Sequence, residues 1–322
     1  IWKDLDKADA VYLNWFESID GNFAGEKFYA PFARFVKRSF QINRAKSKGK
    51  RIIFVKHNRV PHNVRYPWLS LGFYKRLLKL SDVIVAFNND ADKDFKEIFP
   101  KEDFSSKITV IPPVNYIGVY PENRASKYYE LLRPYKDKFI VGFIGKIVPY
   151  KNIELIIRAA KELENEDIVF FIAGAVSSDE YKAELIEQVK DRENIIASFE
   201  FLPDEEICPV LEICDILLMP YDKVSASNSG AGRLAFSYGR TVISSDISSM
   251  NMIPDELIYK YHYEENAEHY DRMMEALKSA YNDWTDDGEI IRKKGEGLLR
   301  LMETDYSEEA IREKYKKIFF GN

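Results

Sequence analysis

Two stretches of this 322-residue chain carry residue types suited to gripping an anion. The first is Phe143-Ile-Gly-Lys-Ile-Val-Pro-Tyr-Lys151. Gly145 closes an apolar run, Lys146 follows it, and Lys151 comes five residues later, where a helical pattern begins. Helix N-termini offer free N–H groups and the positive end of the helix dipole. Two lysines beside them would neutralise most of the charge of a diphosphate, as point charges without the fork of Arg. Taken alone, this spacing also fits a surface turn with two solvated lysines. The second stretch is Met219-Pro-Tyr-Asp-Lys-Val-Ser-Ala-Ser-Asn-Ser-Gly-Ala-Gly-Arg-Leu-Ala235. Its small residues would let a ligand approach the backbone. Ser229, Gly230 and Ala231 would present N–H groups at a helix start, although ordinary capping by Ser227 or Asn228 uses the same letters. Two such loops on one sheet edge make chance a poor explanation.

Two further clusters follow strands in the first half. Val55-Lys-His57-Asn58-Arg-Val-Pro-His62-Asn63 places two histidines and two asparagines just after an apolar run. Tyr12-Leu-Asn-Trp-Phe-Glu17 ends on a carboxylate that could act as acid or base, or hold a hydroxyl. Asp90-Ala-Asp92 has the letters of a metal-binding pair but follows a strand into a helix start, where capping accounts for it; no metal site is expected. Cys208 and Cys214 are six apart without a histidine cluster, and read as core thiols in a reducing compartment.

The elements that must hold these residues alternate. In the second half, apolar runs at 139–147, 168–173, 194–202, 215–219 and 241–245 read as buried strands, with helices at 152–166, 179–189, 203–214 and 230–238 between them. Such alternation predicts a parallel sheet covered on both faces, with ligands outside the carboxyl ends of its strands. The first half repeats the pattern, with strands at 10–14, 51–56, 82–87 and 107–111, and helices within 26–46 and at 71–80. Residues 121–138 show no strand pattern and read as the connection. A domain boundary is expected after residue 133, a second domain over 134–306, and a closing helix at 307–322 packing back on the first domain.

Charge is unevenly spread. Residues 1–133 hold 24 Lys and Arg against 15 Asp and Glu, a net +9, while the remainder is −14 and the whole −5. The basic half suggests phosphorylated or membrane-surface partners, or simply solvated helices rich in lysine. Phe32, Phe35, Phe40 and Ile42 alternate with Arg34, Lys37, Arg38, Arg44, Lys46, Lys48 and Lys50, which suits an interfacial helix as well as one packed on a sheet. No nucleic-acid motif accompanies the charge. No apolar stretch reaches the length of a membrane span.

The order Gly145-Lys146-x4-Lys151, Phe171-Ile-Ala-Gly174, Phe201-Leu-Pro-Asp-Glu205, Asp215-Ile-Leu-Leu-Met-Pro220 and Ser229-Gly-x8-Gly239-Arg-Thr-Val-Ile243 resembles the C-terminal domain of GT-B glycosyltransferases, family 4 and related bacterial surface-polysaccharide transferases in particular. The resemblance covers about residues 138–246 well and the rest loosely. It implies a GT-B fold: two Rossmann-like domains facing across a cleft. The first strand and helix of such an N-terminal domain would lie before Ile1, so the chain is cut short there or the domain is abbreviated. The resemblance also implies a nucleotide-diphosphate-sugar donor as co-substrate, with no cofactor. Gly145, Lys146, Lys151, Ser229 and Gly230 would meet its diphosphate, and Glu200, Phe201 and Leu202 its base. His57 falls where the family has a strand-end histidine near the reacting sugar, and Glu17 is the second catalytic candidate. Asn58, His62 and Tyr116 are candidates for sugar or acceptor. The chain departs from the pattern in one respect: the family's two glutamates, eight apart, are Ala226 and Leu234 here.

The expected function is transfer of a hexose from the donor to an acceptor hydroxyl, by retention in preference to inversion, in bacterial cell-surface polysaccharide or glycolipid synthesis. The acceptor would be lipid-linked or an oligosaccharide. The enzyme would be cytoplasmic or peripheral on the cytoplasmic face of the inner membrane, with no nucleic-acid partner. A nucleotide-sugar epimerase of the same architecture, or a non-catalytic nucleotide-sugar-binding subunit, remains open at this point.

Overall fold

The computed structural model describes residues 4–20, 27–57, 59, 64–122, 126–223 and 228–320. The chain forms two compact units, one of Ile1–Pro113 with Ile311–Asn322, the other of Val114–Ala310.

The first unit is built on four parallel strands in the order β1 (Ala10–Asn14), β2 (Arg51–Lys56), β3 (Val83–Ala86) and β4 (Ile108–Val110). Helices α1 (Ala30–Ser47), α2 (Pro67–Leu80) and α3 (Ala91–Ile98) make the crossovers. Successive strand side chains point to opposite faces. Ile52, Phe54 and Ile84 therefore meet Phe73, Leu77 and Phe95 on one side. Ile53, Val55, Val83 and Val85 point to the other and are covered by Ile311 and Ile318 of the C-terminal helix, Glu308–Phe320. The Tyr12 and Tyr315 hydroxyls meet at 3.1 Å, and Arg51 donates to the Ile318 carbonyl. Asp90 stands at the N-cap of α3 without a side-chain cap bond, and Asp92 pairs with Lys96 at 2.6 Å, so capping is not what Asp90 does.

The second unit has six parallel strands: β5 (Phe139–Ile144), β6 (Ile168–Ala173), β7 (Ile195–Ser198), β8 (Ile216–Met219), β9 (Thr241–Ser245) and β10 (Tyr259–Tyr261). Their order is β10-β9-β8-β5-β6-β7. The chain winds outward from β5 to β7, returns to β8 beside β5, and winds outward again. The switch point thus lies between β5 and β8, where open α/β sheets leave a crevice. The helices are α4 (Lys127–Leu132), α5 (Ile153–Glu162), α6 (Asp179–Val189), α7 (Asp204–Ile213), α8 (Gly230–Ser237), α9 (Asn266–Asp287) and α10 (Glu289–Thr304). Every residue of β5, β6 and β8 is buried, as a sheet covered on both faces requires.

The domain boundary is 20 residues earlier than expected, at 113/114 instead of 133/134, and the return to the first unit comes at 310/311 instead of 306/307. The segment read as a connection is part of the second unit. Buried Glu206 of α7 accepts from the Ser126 hydroxyl and from the backbone N–H groups of Lys127 (3.1 Å) and Tyr128 (3.3 Å), tying down the start of α4. Tyr128 and Leu132 complete the core there. Cys214 is fully buried and its thiol is pushed up to about 12 by that burial; Cys208 donates to the Tyr120 carbonyl at 3.4 Å.

Candidate functional site

A cavity of about 570 Å³ opens in the second unit at the carboxyl ends of β5 and β8. Its floor begins with Gly145, whose φ of +124° few other residues adopt. Gly174, just past β6, lies so close to Gly145 that a Cβ on it would run into the Gly145 carbonyl. The loop beyond is held by backbone pairing between Ile147 and Val176, with Ile147 N–H donating to Ala175 at 2.9 Å. A short 3-10 turn, Pro149–Lys151, then delivers Lys151. Asn152 ties this turn to β8 by donating from Nδ2 to the Pro220 carbonyl at 2.9 Å, and Asp222 N–H donates to the Tyr150 carbonyl at 2.8 Å.

Lys151 is thereby fixed between two strand ends. Its Nζ lies 5.4 Å from the Phe143 ring centre and 5.1 Å from that of Tyr221. Among the described residues no carboxylate pairs with it. Burial, helped by the like charge of Lys146, pulls its ammonium down to about 8. A desolvated cation with no counter-charge is unfavourable on its own and strongly attracts an anion. Lys146 lines the same cavity from an exposed position.

The opposite wall is the start of α8. Ser229 is its N-cap: the hydroxyl accepts from Gly232 N–H at 3.0 Å, and Ser229 N–H itself donates to the Ser249 hydroxyl at 3.2 Å. Both polar groups are therefore used internally. Ser229 does not line the cavity, which corrects its assignment to the diphosphate. Gly230 and Ala231 do line it, and their N–H groups have no partner among the described residues. Gly230 lies close to Tyr116, whose ring stacks on Tyr120 at 6.2 Å. The rest of the wall is apolar, with Leu202, Ile207, Leu234 and Phe201, plus one carboxylate, Asp204. Cations and bare N–H groups at one part, apolar side chains at another, suit a molecule with an anionic portion and a flat apolar one.

Seven of the expected residues share this cavity: Tyr116, Gly145, Lys146, Lys151, Phe201, Leu202 and Gly230. Glu200 does not; it is exposed and pairs with Lys182 of α6. Tyr120, Asp204, Ile207 and Gly174 line it without having been assigned to the site. Tyr120 lies just before the stretch read as a connection, and Asp204 entered only as one letter of the Phe201-Leu-Pro-Asp-Glu205 run.

Asn58 and His62 lie outside the described residues. In the first unit, His57 follows β2 and is oriented on three sides. Its ring stacks on Trp15 (3.9 Å, 11°) and meets Phe87 edge-on at 5.0 Å, and Nε2 donates to Asn14 Oδ1. Burial lowers its pKa, so the ring is neutral at pH 7. Trp15 itself has φ of +55°, a conformation rare for a bulky residue, at the end of β1.

Glu17 is 4% exposed, with Oε2 shielded from solvent and unbonded, so in this structure its carboxyl is not offered to a substrate. This corrects the reading of a strand-end acid or base: the residue turns into the unit beneath the strand ends. Burial raises its pKa to about 7, against the favourable charges of Arg38 and Lys56. The folded state therefore binds a proton that the unfolded chain has already lost between pH 4.5 and 7, and stability falls as pH rises through that window. Glu17→Gln is expected to flatten this dependence and to stabilise the protein at pH 8 by about 2–3 kcal/mol. Urea denaturation of both proteins at pH 5 and pH 8 checks it; an unchanged pH dependence rejects a proton-holding Glu17.

The fold and this crevice define a class, the GT-B glycosyltransferases: two parallel α/β sheets, one ending in an anion-ready switch point. A family model described as glycosyl transferases group 1 matches residues 130–296, just over half of the 322 residues, and the chain belongs to that family. No curated protein sequence matches it. Solved structures share the fold along nearly the whole chain. HepE from Anabaena, solved with UDP, superposes with a TM-score of 0.73 at 12% identity, over 98% of this chain and 80% of its own. A glycosyltransferase from Rickettsia africae gives 0.70 at 18% identity, over 99% and 78%. Sucrose-phosphate synthase from Thermosynechococcus elongatus gives 0.68 at 12%, over 93% and 81%. No helix among the described residues is long and apolar enough to cross a membrane.

Proposed function

We propose that this glycosyltransferase takes its sugar from a uridine diphosphate donor held in the second unit, and passes it to an acceptor hydroxyl with retention of configuration. The observation that carries this reading is Lys151, a cation without a carboxylate partner among the described residues, in one cavity with the unbonded N–H groups of Gly230 and Ala231. Support for uridine comes from the fold-mate HepE, solved both with UDP and with UDP-glucose. Lys146, Lys151 and the start of α8 would stabilise charge as it builds on the departing diphosphate. Retention relies on that stabilisation and on positioning more than on a base. Tyr116 would meet the sugar end, and Phe201 and Leu202 the base. Leu234, where related enzymes carry a glutamate, leaves the ribose to other groups. Family 4 membership, a role in bacterial surface-glycan synthesis and a membrane-side, lipid-linked or oligosaccharide acceptor complete the proposal.

A thermal-shift panel of nucleotide sugars tests it. At about 100 times the dissociation constant, a bound donor adds about 2.7 kcal/mol, a rise of about 5 °C or more. Uridine diphosphate sugars are expected to give it, and a panel with no response rejects the donor reading. For catalysis, His57 is the proposed partner of the reacting sugar. His57→Ala is expected to lower kcat by about 100-fold or more without weakening donor binding. Unchanged turnover would remove His57 from the chemistry.

A further inference from the structure

Helix α1 is apolar on two faces, and only one of them is covered. Ile42 and Ala45 are buried in the first unit's core and Phe35 packs against it. Phe32, Val36 and Phe40, four residues apart, point the other way, in a line about 12 Å long. Val36 and Phe40 are each 66% exposed. Trp68 at the start of α2 is also 66% exposed, and lies 6.0 Å from Phe32, extending the line onto the neighbouring helix. Isolated exposed apolar residues are ordinary, but a continuous stripe of large ones on an outward helix face marks a binding surface.

The charge around the stripe says what kind. Between residues 27 and 81 the chain has 15 Lys and Arg and no Asp or Glu. Some of these cations are neutralised from outside the segment, as Lys46 is by Asp82 and Lys75 and Lys79 are by Glu102. Arg44 continues the apolar line one turn on and Lys37 flanks it, and neither has an ion-pair partner among the described residues. A second copy of the chain would bring the same excess of positive charge against itself. A nucleic acid would satisfy the cations but leave Val36 and Phe40 in water. An anionic lipid surface satisfies both, since its phosphates meet the cations and its acyl boundary takes the rings.

We propose that the Phe32-Val36-Phe40 face of α1, with Trp68, docks the enzyme on a bilayer containing anionic phospholipid, α1 lying in the plane of the interface. This deepens the membrane-side part of the proposed function and is independent of the donor.

The test is co-sedimentation of the full chain, without nucleotide sugar, with vesicles of phosphatidylcholine alone or with phosphatidylglycerol added. The chain is expected to partition onto the anionic vesicles and to leave them at high salt. The triple variant F32S/V36S/F40S is expected to partition about 100-fold more weakly, and K37E/R44E at least about 20-fold more weakly. Both variants should keep the wild-type response to UDP-sugars in the thermal-shift panel, so a failure to dock is distinguishable from a failed donor reading. No binding by the wild type, equal binding to both vesicle types, or binding indifferent to both variants overturns the proposal. So does a wild-type dimer in sedimentation velocity that F32S/V36S/F40S converts to monomer, which would give the surface to a second copy. RNA binding lost in K37E/R44E, without vesicle binding by the wild type, would give it to nucleic acid.

Discussion

Lys151→Met is expected to weaken binding of a nucleotide-diphosphate sugar by about 100-fold or more while making the empty protein more stable. The two effects have one cause. With no anion present, the folded chain holds a shielded cation between Phe143 and Tyr221. Its pKa of about 8, against 10.5 in the open chain, means the unfolded state keeps a proton that the folded state releases between those values. Stability of the empty protein therefore rises with pH across that window and is lowest, as far as Lys151 is concerned, below pH 8. Methionine fills a similar volume without charge. It is expected to stabilise the empty protein at pH 7 by on the order of 2 kcal/mol, after allowance for solvent screening of a partly exposed group. A bound diphosphate restores the charge, so donor binding near pH 8 should take up a proton, seen by calorimetry in buffers of different ionisation enthalpy. The loss of affinity reflects removal of one partner of a shielded charge pair, about 2–5 kcal/mol. Lys146→Met, at an exposed site, should cost no more than about 1 kcal/mol. If Lys151→Met binds donor normally, the cavity is not the diphosphate site. If it binds poorly but is no more stable when empty, Lys151 is better solvated than the structure indicates.

The second large effect is expected at Gly174. A Cβ there would run into the carbonyl of Gly145, and both glycines belong to strand ends that cannot separate without breaking the bonds of Gly145 N–H to Ala173 (3.0 Å) and Gly174 N–H to Ser198 (2.9 Å). Gly174→Ala is expected to destabilise the chain by about 3 kcal/mol, lowering Tm by roughly 5–10 °C. It should also weaken donor binding, because relief of the clash moves the Gly145 peptide at the cavity floor. Gly72 in α2 serves as the opposite case. Nothing lies within 4 Å of a Cβ built there, so Gly72→Ala should stabilise the protein by about 0.5–1 kcal/mol. Equal effects at the two positions would reject close packing at Gly174.

Much of the fold was legible in the sequence because buried parallel strands are written as unbroken apolar runs. Ala10–Asn14, Arg51–Lys56 and Thr241–Ser245 are strands with the bounds read from sequence, and Asp179–Val189 is the helix expected there. The 246–306 region was not resolved into elements. Tyr259–Tyr261 is only three residues long, at a sheet edge. The stripe Tyr270, Met273, Met274 and Leu277 of α9 did have helical spacing, but it is diluted by charged residues over 22 positions. The site was legible where it depends on backbone and charge, at Gly145, Lys146, Lys151 and Gly230. It was not legible where it depends on which way a side chain turns. Glu200 and Glu17 follow strands as a site carboxylate should, yet one turns outward to Lys182 and the other inward beneath the strand ends. Ser229 stands at the right helix start, but its hydroxyl and N–H are both taken by neighbours in the fold. The domain boundary failed for a related reason, because the hold of Glu206 on the start of α4 joins residues about 80 apart that no local pattern connects.

The C-terminal helix has a consequence for how the molecule comes into being. Ile53, Val55, Val83 and Val85 take much of their cover from Ile311 and Ile318. During synthesis those four side chains emerge more than two hundred residues before their partners. The second unit is one continuous segment, and it can finish folding while the earlier unit still waits with one face of its sheet bare. The piece that closes the first unit is thus made only after the whole of the second. A chain cut at residue 310 would keep the whole second unit but leave this sheet face without its covering helix, and a supplied peptide spanning residues 308–320 would be its natural complement.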